Sequence, residues 1–231
     1  MNRRSIARLP SLLIAAAVLV FSFCHGVSAA EENIVIKSCS AKGKMIALTF
    51  DDGPHPKRTA EILDILNEYG IKATFFVIGE NVELYPELIE REIAEGHEIG
   101  NHTENHKSLL KADKEELEKE IRTLSGTLEE KFGYKTKLIR PPGGQYNENL
   151  PPYAAENGYK VILWSVDTRD WAHTPVADIK ANVLKNTKDG AIILFHDYVA
   201  GKSPTPQALR EVIPALLSEG YEFVTVSELI N

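Results

Sequence analysis

The stretch MIALTFDDGPHPKRTAEILDILNEYG, residues 45–70, indicates how this chain folds. Residues 45–50 form an apolar run with the length of a buried strand. After a polar turn, residues 59–69 carry apolar side chains at helical spacing, and Gly70 follows as a residue suited to end a helix. The stretch therefore predicts one strand followed by one helix, which is the repeating unit of an α/β protein.

The same alternation continues to the end of the chain. Further predicted strands are 73–78, 97–100, 138–139, 161–166, 191–195 and 222–226, and further predicted helices are 86–95, 114–132, 153–157, 176–186 and 206–218. Because the strands are apolar throughout, they predict a parallel sheet covered by helices. About seven such units favour a barrel-like closure, although periodicity alone does not distinguish a barrel from an open doubly wound sheet.

Residues 1–29 have the three parts of a secretory signal peptide. Arg3, Arg4 and Arg8 precede an apolar run over 12–23, and small residues at 27–29 offer a cleavage site. The run is shorter than the roughly 20 residues that a membrane span needs, and an uncleaved anchor is the alternative. We therefore predict a leader at 1–29, a lead-in at 30–44 and one domain at 45–231, secreted and without a membrane span after cleavage.

Composition and charge narrow the classes of protein that this chain can be. Of its 231 residues 43% are hydrophobic and 26% are charged, which excludes a disordered, collagen-like or many-span membrane protein. Loss of the leader changes the formal net charge from −7 to −10, which opposes binding to nucleic acid. Cys24 leaves with the leader and Cys39 stays alone, so any metal site must use histidine and carboxylate.

Five polar clusters directly follow predicted strands. In parallel α/β domains the functional site lies at the carboxyl ends of the strands, so all five are expected to face one rim. The clusters are TFDDGP at 49–54, HTENH at 102–106, RPPGG at 140–144, DTRDW at 167–171 and LFHD at 194–197.

Two of these clusters carry the residue types of a metal site. Asp51 and Asp52 both stay ionised only near a positive charge, and one of them can bind a metal while the other takes a proton. His102 and His106 have i, i+4 spacing, which places them on one face of a helical turn. Two imidazoles and one carboxylate leave positions open for water and substrate, as in catalytic zinc sites, and cobalt, nickel or manganese also suit them. The alternatives are a simple Asp-Asp-Gly-Pro turn and a chance histidine spacing.

The other three clusters carry groups suited to acid–base chemistry. Arg140 precedes two prolines and could hold a carboxylate in its ionised form. The alternative is a salt bridge at the rim that contributes little to stability. His196 is suited to give a proton to a leaving group, and Asp170 could orient it. The alternative is a structural His196 bonded to its neighbour Asp197.

Trp171 and Leu194 belong to the same clusters and are apolar. They could wall a pocket for a small group such as a methyl, although each taken alone is more simply read as part of the core.

In this order, the five clusters resemble those of the polysaccharide deacetylases, the NodB-like domain of the carbohydrate esterases. The resemblance covers roughly residues 45–231 and implies a distorted, incomplete (β/α) barrel. It also implies hydrolytic removal of acetyl groups from N-acetylated sugars, usually N-acetylglucosamine in peptidoglycan or chitin. The expected partner is therefore an acetylated polysaccharide of the cell wall. The enzyme is expected to act outside the cell as a monomer.

The resemblance also implies a role for each residue of the clusters. Asp52, His102 and His106 would bind one divalent metal, most simply zinc. Asp51 would be the general base, held by Arg140.

On the other side of the expected site, His196 would be the general acid, tuned by Asp170. Trp171 and Leu194 would line the acetyl pocket, and a backbone N–H of the 140–144 loop, which contains Gly143 and Gly144, would complete the oxyanion site. Many family members carry an aromatic residue where Gly143 stands, which leaves the substrate preference of this chain open.

Three other functions remain as alternatives. An O-acetyl esterase acting on xylan or on muramic acid would use the same groups, because both reactions pass through a tetrahedral oxyanion. A non-catalytic carbohydrate-binding module would predict missing ligands, and none is missing from the clusters. A cytoplasmic metal-dependent amidohydrolase is opposed by the predicted leader.

Overall fold

The computed structural model describes residues 34–40 and 43–231, and the predicted leader at 1–29 lies outside them. The described strands are β1 (Val35–Ile36), β2 (Met45–Asp51), β3 (Thr74–Val77), β4 (Glu98–Asn101), β5 (Leu138–Ile139), β6 (Lys160–Ile162), β7 (Val166–Asp167), β8 (Ile192–His196) and β9 (Glu222–Phe223). The described helices are α1 (Arg58–Glu68), α2 (Gly79–Leu84), α3 (Pro86–Ala94), α4 (Lys114–Phe132), α5 (Leu150–Glu156), α6 (Val176–Asn186), α7 (Thr205–Ser218) and α8 (Val226–Ile230).

The strands form one parallel sheet that curls without closing. Its order is β1-β6-β5-β4-β3-β2-β8-β7, and β9 pairs with the beginning of β2. Within the described part of the chain, the end strands β1 and β7 are not paired with each other. The sheet is therefore an incomplete (β/α) barrel, which confirms the predicted fold class.

The alternation of side chains along β2 separates the helix layer from the barrel interior. Ile46, Leu48 and Phe50 join the main apolar core with residues of α1 and α7. The intervening residues face the other way: Ala47 packs in an interior cluster, and the side chains of Thr49 and Asp51 both bond to Arg140. Because successive strand residues point to opposite faces, Asp51 necessarily projects into the barrel near its rim.

Several predicted elements have the bounds that the sequence indicated. Helices α4 and α6 and strand β5 begin and end at the predicted residues. Asp113 caps the start of α4 by accepting a hydrogen bond from the Glu116 N–H, and Gly133 ends the helix with a left-handed backbone. None of the helices in residues 34–40 and 43–231 combines the length and the apolar character needed to cross a membrane.

Two predicted strands were wrong. The segment 161–166 is not one strand, because the chain leaves β6 at Ile162 and pairs again as β7 at the opposite edge of the sheet. The segment 222–226 is a strand only to Phe223, and Val226 begins α8. A capping box between Thr225 and Glu228 starts this helix, and its Thr-x-x-Glu pattern was the signal in the sequence.

The lead-in contributes to the fold. Its residues Val35 and Ile36 form β1, which pairs with β6 and extends the sheet at that edge. The predicted start of the domain at residue 45 therefore leaves out one strand.

Gly100 in β4 offers a test of the packing inside the barrel. A Cβ at Gly100 would lie 2.4 Å from ring carbons of Phe76, whose ring lies 4.0 Å from the guanidinium of Arg140. We expect Gly100→Ala to lower the free energy of unfolding by about 1–3 kcal/mol through overpacking, measured by denaturant titration. Gly126→Ala is the control, because that position in α4 is open and alanine should add about 0.5–1 kcal/mol. Equal stability of both variants would contradict this packing.

Candidate active site

The loops after β2 and β4 bring three side chains together. Oδ1 of Asp52 lies 3.3 Å from Nε2 of His102 and 3.1 Å from Nε2 of His106. One ligand atom from each residue falls within 4.8 Å of the others. This is the trio that the sequence analysis proposed as metal ligands, and its role as such stays a prediction.

The two histidines do not lie on a helical turn, contrary to the prediction. Residues 102–106 form an irregular loop in which Thr103 and His106 have positive φ. The Thr103 N–H donates to Oδ1 of Asn101, the last residue of β4. The imidazoles therefore converge because a strained loop folds back on itself, not because of helical periodicity.

The orientation of His102 leaves one nitrogen for a ligand. Its Nδ1–H donates to the carbonyl of Arg140 at 2.7 Å, since a carbonyl can only accept. Its Nε2 is buried and has no hydrogen-bond partner among the described residues. This is how metal-binding imidazoles are commonly held, with one nitrogen fixed by the backbone and the other aimed at the ion.

The electrostatics of the trio favour a cation. Burial raises the pKa of Asp52, but the close approach of the imidazoles of His102 and His106 outweighs it and holds the pKa well below its usual range. Burial lowers the pKa of His102, yet the charges of Asp51 and Asp52 outweigh this effect and raise it. The carboxylates thus stabilise positive charge at this point, whether a proton or a metal ion carries it.

Asp51 is held by a fully buried arginine. The Nη1 group of Arg140 donates to Oδ1 of Asp51 at 2.7 Å, and both side chains are almost completely inaccessible. Oδ2 of Asp51 lies 3.7 Å from Nε2 of His102. One oxygen of this carboxylate is therefore occupied by the arginine, and the other faces the Asp52, His102 and His106 trio. The alternative of a rim salt bridge does not describe a pair this deeply buried.

His196 is paired with Asp170. Its Nδ1 lies 2.8 Å from Oδ1 of Asp170, whose Oδ2 accepts from the His196 N–H and from the Thr205 hydroxyl. Burial lowers the pKa of His196, but the hydrogen bond and charge of Asp170 outweigh it and raise the pKa to about 9. Asp197 is not the partner, because its carboxylate turns inward to accept from the hydroxyl of Thr59.

Eight of the eleven predicted site residues border one cavity of about 380 Å³, and Arg140, Asp170 and Gly144 do not line it. Trp171 is half exposed at its edge, and Leu194 is buried in its wall. Gly143 also lines the cavity, and its N–H makes no hydrogen bond within the described residues. Gly144 is not a lining residue: its N–H donates to the carbonyl of Pro141. The full lining is Asp51, Asp52, His102, His106, Gly143, Trp164, Asp167, Trp171, Leu194 and His196.

Two lining residues escaped the sequence analysis. Trp164 lies in the segment that was read as one strand, so its position at the break between β6 and β7 was hidden. A Cβ at Gly144 would lie 2.7 Å from this indole, so the glycine lets the 140–144 loop pack against it. Asp167 was quoted as part of its cluster but given no role.

A third residue acts on the site from α4. The buried carboxylate of Glu120 accepts hydrogen bonds from the backbone N–H and the side-chain amide of Asn105, and it pairs with Lys107. Asn105 and Lys107 flank His106, so Glu120 fixes the loop that carries this imidazole. No pattern in the sequence indicated this, because a glutamate inside a charged helix reads as a solvent-facing residue.

The half-barrel carries carboxylate, imidazole and guanidinium groups at one rim, which are groups that hydrolytic enzymes commonly use. The family model described as polysaccharide deacetylase matches residues 39–162, which is more than half of the chain. The chain belongs to the polysaccharide deacetylase family. This confirms the family, the fold class and the enzyme class, a polysaccharide N-deacetylase, that were predicted.

Relatives with established names agree with this membership. A peptidoglycan-N-acetylglucosamine deacetylase of Bacillus cereus is 46% identical over 191 residues, covering 81% of this chain and 89% of the relative. A crystal structure of a peptidoglycan N-acetylglucosamine deacetylase in complex with 4-naphthalen-1-yl-N-oxidanyl-benzamide superposes with a TM-score of 0.83 at 38% identity, covering 86% of this chain and 94% of the other.

An esterase of the same fold is also similar. The family 4 acetyl xylan esterase of Clostridium thermocellum, solved with a cobalt ion, gives a TM-score of 0.74 at 36% identity. The match covers 80% of this chain and 90% of the esterase.

The role of Glu120 can be tested through metal affinity. Glu120→Gln replaces one acceptor oxygen by an NH₂ group that faces the donors of Asn105, so the His106 loop should loosen. We expect affinity for Zn²⁺ to fall by about 10–100-fold, measured by competition with a chelator. Glu118→Gln is the matched control, since Glu118 is exposed on the same helix and pairs with Arg122. Unchanged affinity in Glu120→Gln would show that this carboxylate does not position the loop.

Proposed function

We propose that this chain is a secreted, metal-dependent deacetylase that removes N-acetyl groups from N-acetylglucosamine units of a cell-wall polysaccharide, peptidoglycan or a chitin-like glycan. The observation that carries this proposal is the convergence of Asp52, His102 and His106 beside an arginine-held carboxylate. Its substrate class is supported by the 46% identical relative, which is named for peptidoglycan N-acetylglucosamine. The signal-like composition of residues 1–29 supports export.

The trio fits a divalent metal. Its donor set is two imidazole nitrogens and one carboxylate oxygen, which suits zinc and also cobalt, nickel or manganese. The buried, unpartnered Nε2 of His102 is the specific sign, because a buried acceptor without a partner costs free energy unless a ligand satisfies it. When bound there, the metal supplies a Lewis acid for the acetyl carbonyl and for the attacking water.

We assign the role of general base to Asp51. Arg140 donates a hydrogen bond to Oδ1, while Oδ2 remains on the side of the trio. As the water oxygen attacks the carbonyl carbon, Oδ2 takes one of its protons. Because Arg140 is itself fixed by other hydrogen bonds, the base cannot swing away during the reaction.

We assign the role of general acid to His196. Its Nδ1–H is committed to Asp170, so Nε2 is the nitrogen free to serve the cavity. A raised pKa keeps both nitrogens protonated at neutral pH. When the carbon–nitrogen bond breaks, Nε2–H gives its proton to the departing amine, and acetate and a free glucosamine unit are released.

Three further residues shape the site around the acetyl group. Trp171 and Leu194 give the cavity an apolar wall that suits a methyl group. The Gly143 N–H is a donor without a partner in the described structure, and it lines the same cavity. We assign it to the oxyanion that forms when water attacks the carbonyl.

An O-acetyl esterase is the second candidate, favoured by the similarity to an acetyl xylan esterase. The same groups serve both reactions, and the difference lies in the leaving group. A departing amine needs a proton more strongly than a departing sugar hydroxyl does, and a histidine with a raised pKa provides it. Parallel assays on N-acetylglucosamine oligomers, peptidoglycan and acetylated xylan decide between the two.

The metal requirement and the base can be tested together. The purified chain should release acetate from N-acetylglucosamine oligomers, and strong chelation should abolish this activity until Zn²⁺ is restored. His102→Ala should lose both bound metal and turnover.

Asp51→Asn should keep bound metal, measured by elemental analysis, and lose about 10²–10⁴-fold in kcat. Activity that survives chelation would refute the metal requirement, and normal turnover in Asp51→Asn would assign the base elsewhere.

The acid can be tested by its pH dependence. Because a general acid must be protonated, kcat/KM falls as pH rises through its pKa. The carboxylate of Asp170 raises the pKa of His196, so Asp170→Asn should lower that pKa and move the alkaline limb of the profile to lower pH by about 1–3 units. Asp178→Asn, on the exposed side of α6, should leave the limb in place. An unmoved limb in Asp170→Asn would exclude His196 as the acid.

A further inference from the structure

The turn at residues 51–54, named here the DDGP turn, carries a proposed metal ligand on strained backbone. Asp52 has a φ of 77°, in the left-handed region that residues other than glycine rarely adopt. Such a conformation costs free energy and persists only where the surrounding structure holds it. The contacts that hold the DDGP turn therefore decide whether Asp52 keeps its place beside the two imidazoles.

The DDGP turn is held on one side by donors that follow β3. The N–H of Ile78 donates to the Gly53 carbonyl at 2.9 Å, and the side-chain amide of Asn81 donates to the Asp52 carbonyl at the same distance. Ile78 lies between β3 and α2, and Asn81 lies in α2. Two successive carbonyls of the turn are thus fixed from this direction.

Asp197, directly after β8, contacts the same turn. Its N–H donates to the Asp51 carbonyl at 3.1 Å, which continues the pairing of β2 with β8 by one residue. Its side chain is buried, and Oδ2 accepts from the Thr59 hydroxyl at 2.5 Å. The oxygen of that hydroxyl accepts in turn from the N–H of His55, the residue after the DDGP turn. One buried carboxylate thereby connects the turn, β8 and the start of α1.

The carboxylate of Asp197 occupies the place where a side chain at Gly53 would lie. A Cβ at that glycine would fall 2.5 Å from both Cγ and Oδ1 of Asp197, and still closer to Oδ2. The φ of Gly53 is not positive, so this backbone angle does not itself require glycine. The close approach of the carboxylate requires it instead, because only a residue without a Cβ lets the turn lie directly on Asp197.

We propose that Asp197 serves the function proposed above as a positioning residue for the metal ligand Asp52. Its carboxylate, held by the Thr59 hydroxyl, supports Gly53 and keeps the DDGP turn in the strained conformation that directs Asp52 toward the two imidazoles. Asp197 does not line the catalytic cavity, so it acts through the turn and not on the substrate. The shape of its side chain and one hydrogen-bond acceptor carry this role, and its charge does not.

The first test measures metal affinity. Asp197→Ala should weaken Zn²⁺ binding about 10–100-fold in competition with a chelator, as expected when a group that holds a metal ligand is removed. Asp197→Asn keeps the shape and an acceptor for Thr59, so it should bind nearly as the parent does. Thr59→Val removes the hydroxyl with little change in volume and should also weaken binding. Val183→Ala, at a fully buried core position on α6, is the control for general destabilisation and should keep the parent affinity.

A double variant tests the contact itself. Gly53→Ala places a methyl group where the carboxylate lies, so alone it should weaken Zn²⁺ binding. In Gly53→Ala/Asp197→Ala the methyl group takes the space that the carboxylate leaves, so the double variant should bind Zn²⁺ more tightly than Gly53→Ala. Losses that simply add would overturn the contact, because additivity is the behaviour of independent sites. Denaturation midpoints establish which variants are folded, and Thr59→Val carries the test if Asp197→Ala is not.

Turnover separates this role from the proposed function. At saturating Zn²⁺, Asp197→Ala should lower kcat for the N-acetylglucosamine tetramer and leave KM unchanged, because Asp197 does not line the cavity. Parent affinity for Zn²⁺ in Asp197→Ala and Thr59→Val, or an equal loss in Val183→Ala, overturns the positioning role while the deacetylase proposal stands. An equal loss in Asp197→Asn and Asp197→Ala overturns it in favour of a role for the charge. A parent chain that deacetylates no glycan refutes the proposed function, whereas Zn²⁺ affinity that depends on Asp197 would still support the positioning role.

Discussion

The buried guanidinium of Arg140 is the interaction on which the rest of the site depends. A charge removed from water costs several kcal/mol unless it is fully paired. Here four donor–acceptor contacts satisfy it: Oδ1 of Asp51, the hydroxyl of Thr49, and the carbonyls of Ile162 and Leu163. Those carbonyls lie where the chain leaves β6 for β7. One residue thereby links the end of β6 to the carboxylate at the end of β2.

Strand register places Asp51 and His196, the proposed base and the proposed acid, beside each other, and each is held by a buried partner. Asp51 and His196 are direct register partners across β2 and β8. A slip of one residue would turn either side chain to the other face, so the pairing that forms the core also sets the chemistry. Arg140 donates to the carboxylate of Asp51, and the hydrogen bond and charge of Asp170 raise the pKa of His196. The two proposed roles thus depend on different buried partners, a cation for the base and an anion for the acid.

Sequence reasoning identified most of the residues that line this cavity because strand ends and polar clusters coincide in this fold. It missed what depends on distant contacts. The segment around Trp164 is apolar and continuous in the sequence, so the break between β6 and β7 is hidden there. In the structure the carbonyls of Ile162 and Leu163, where β6 ends, accept hydrogen bonds from the buried Arg140. His102 and His106 converge because their loop has positive φ angles and because Glu120 on α4 holds it. An i, i+4 spacing in the sequence indicates neither feature. Residues that position others are harder to predict than residues that react, because their partners lie far away in the chain.

Strands β2 and β8 hold the two proposed catalytic groups at a fixed separation. They pair over five residues, the longest register in the sheet, so the loops that leave them begin at fixed positions relative to each other. The residues at these strand ends, Asp51, Asp52 and His196, line the catalytic cavity. Residues further along the same loops, such as His55 and Tyr198, do not line it. Changes in the outer parts of both loops are therefore expected to leave the positions of Asp51 and His196 unaltered.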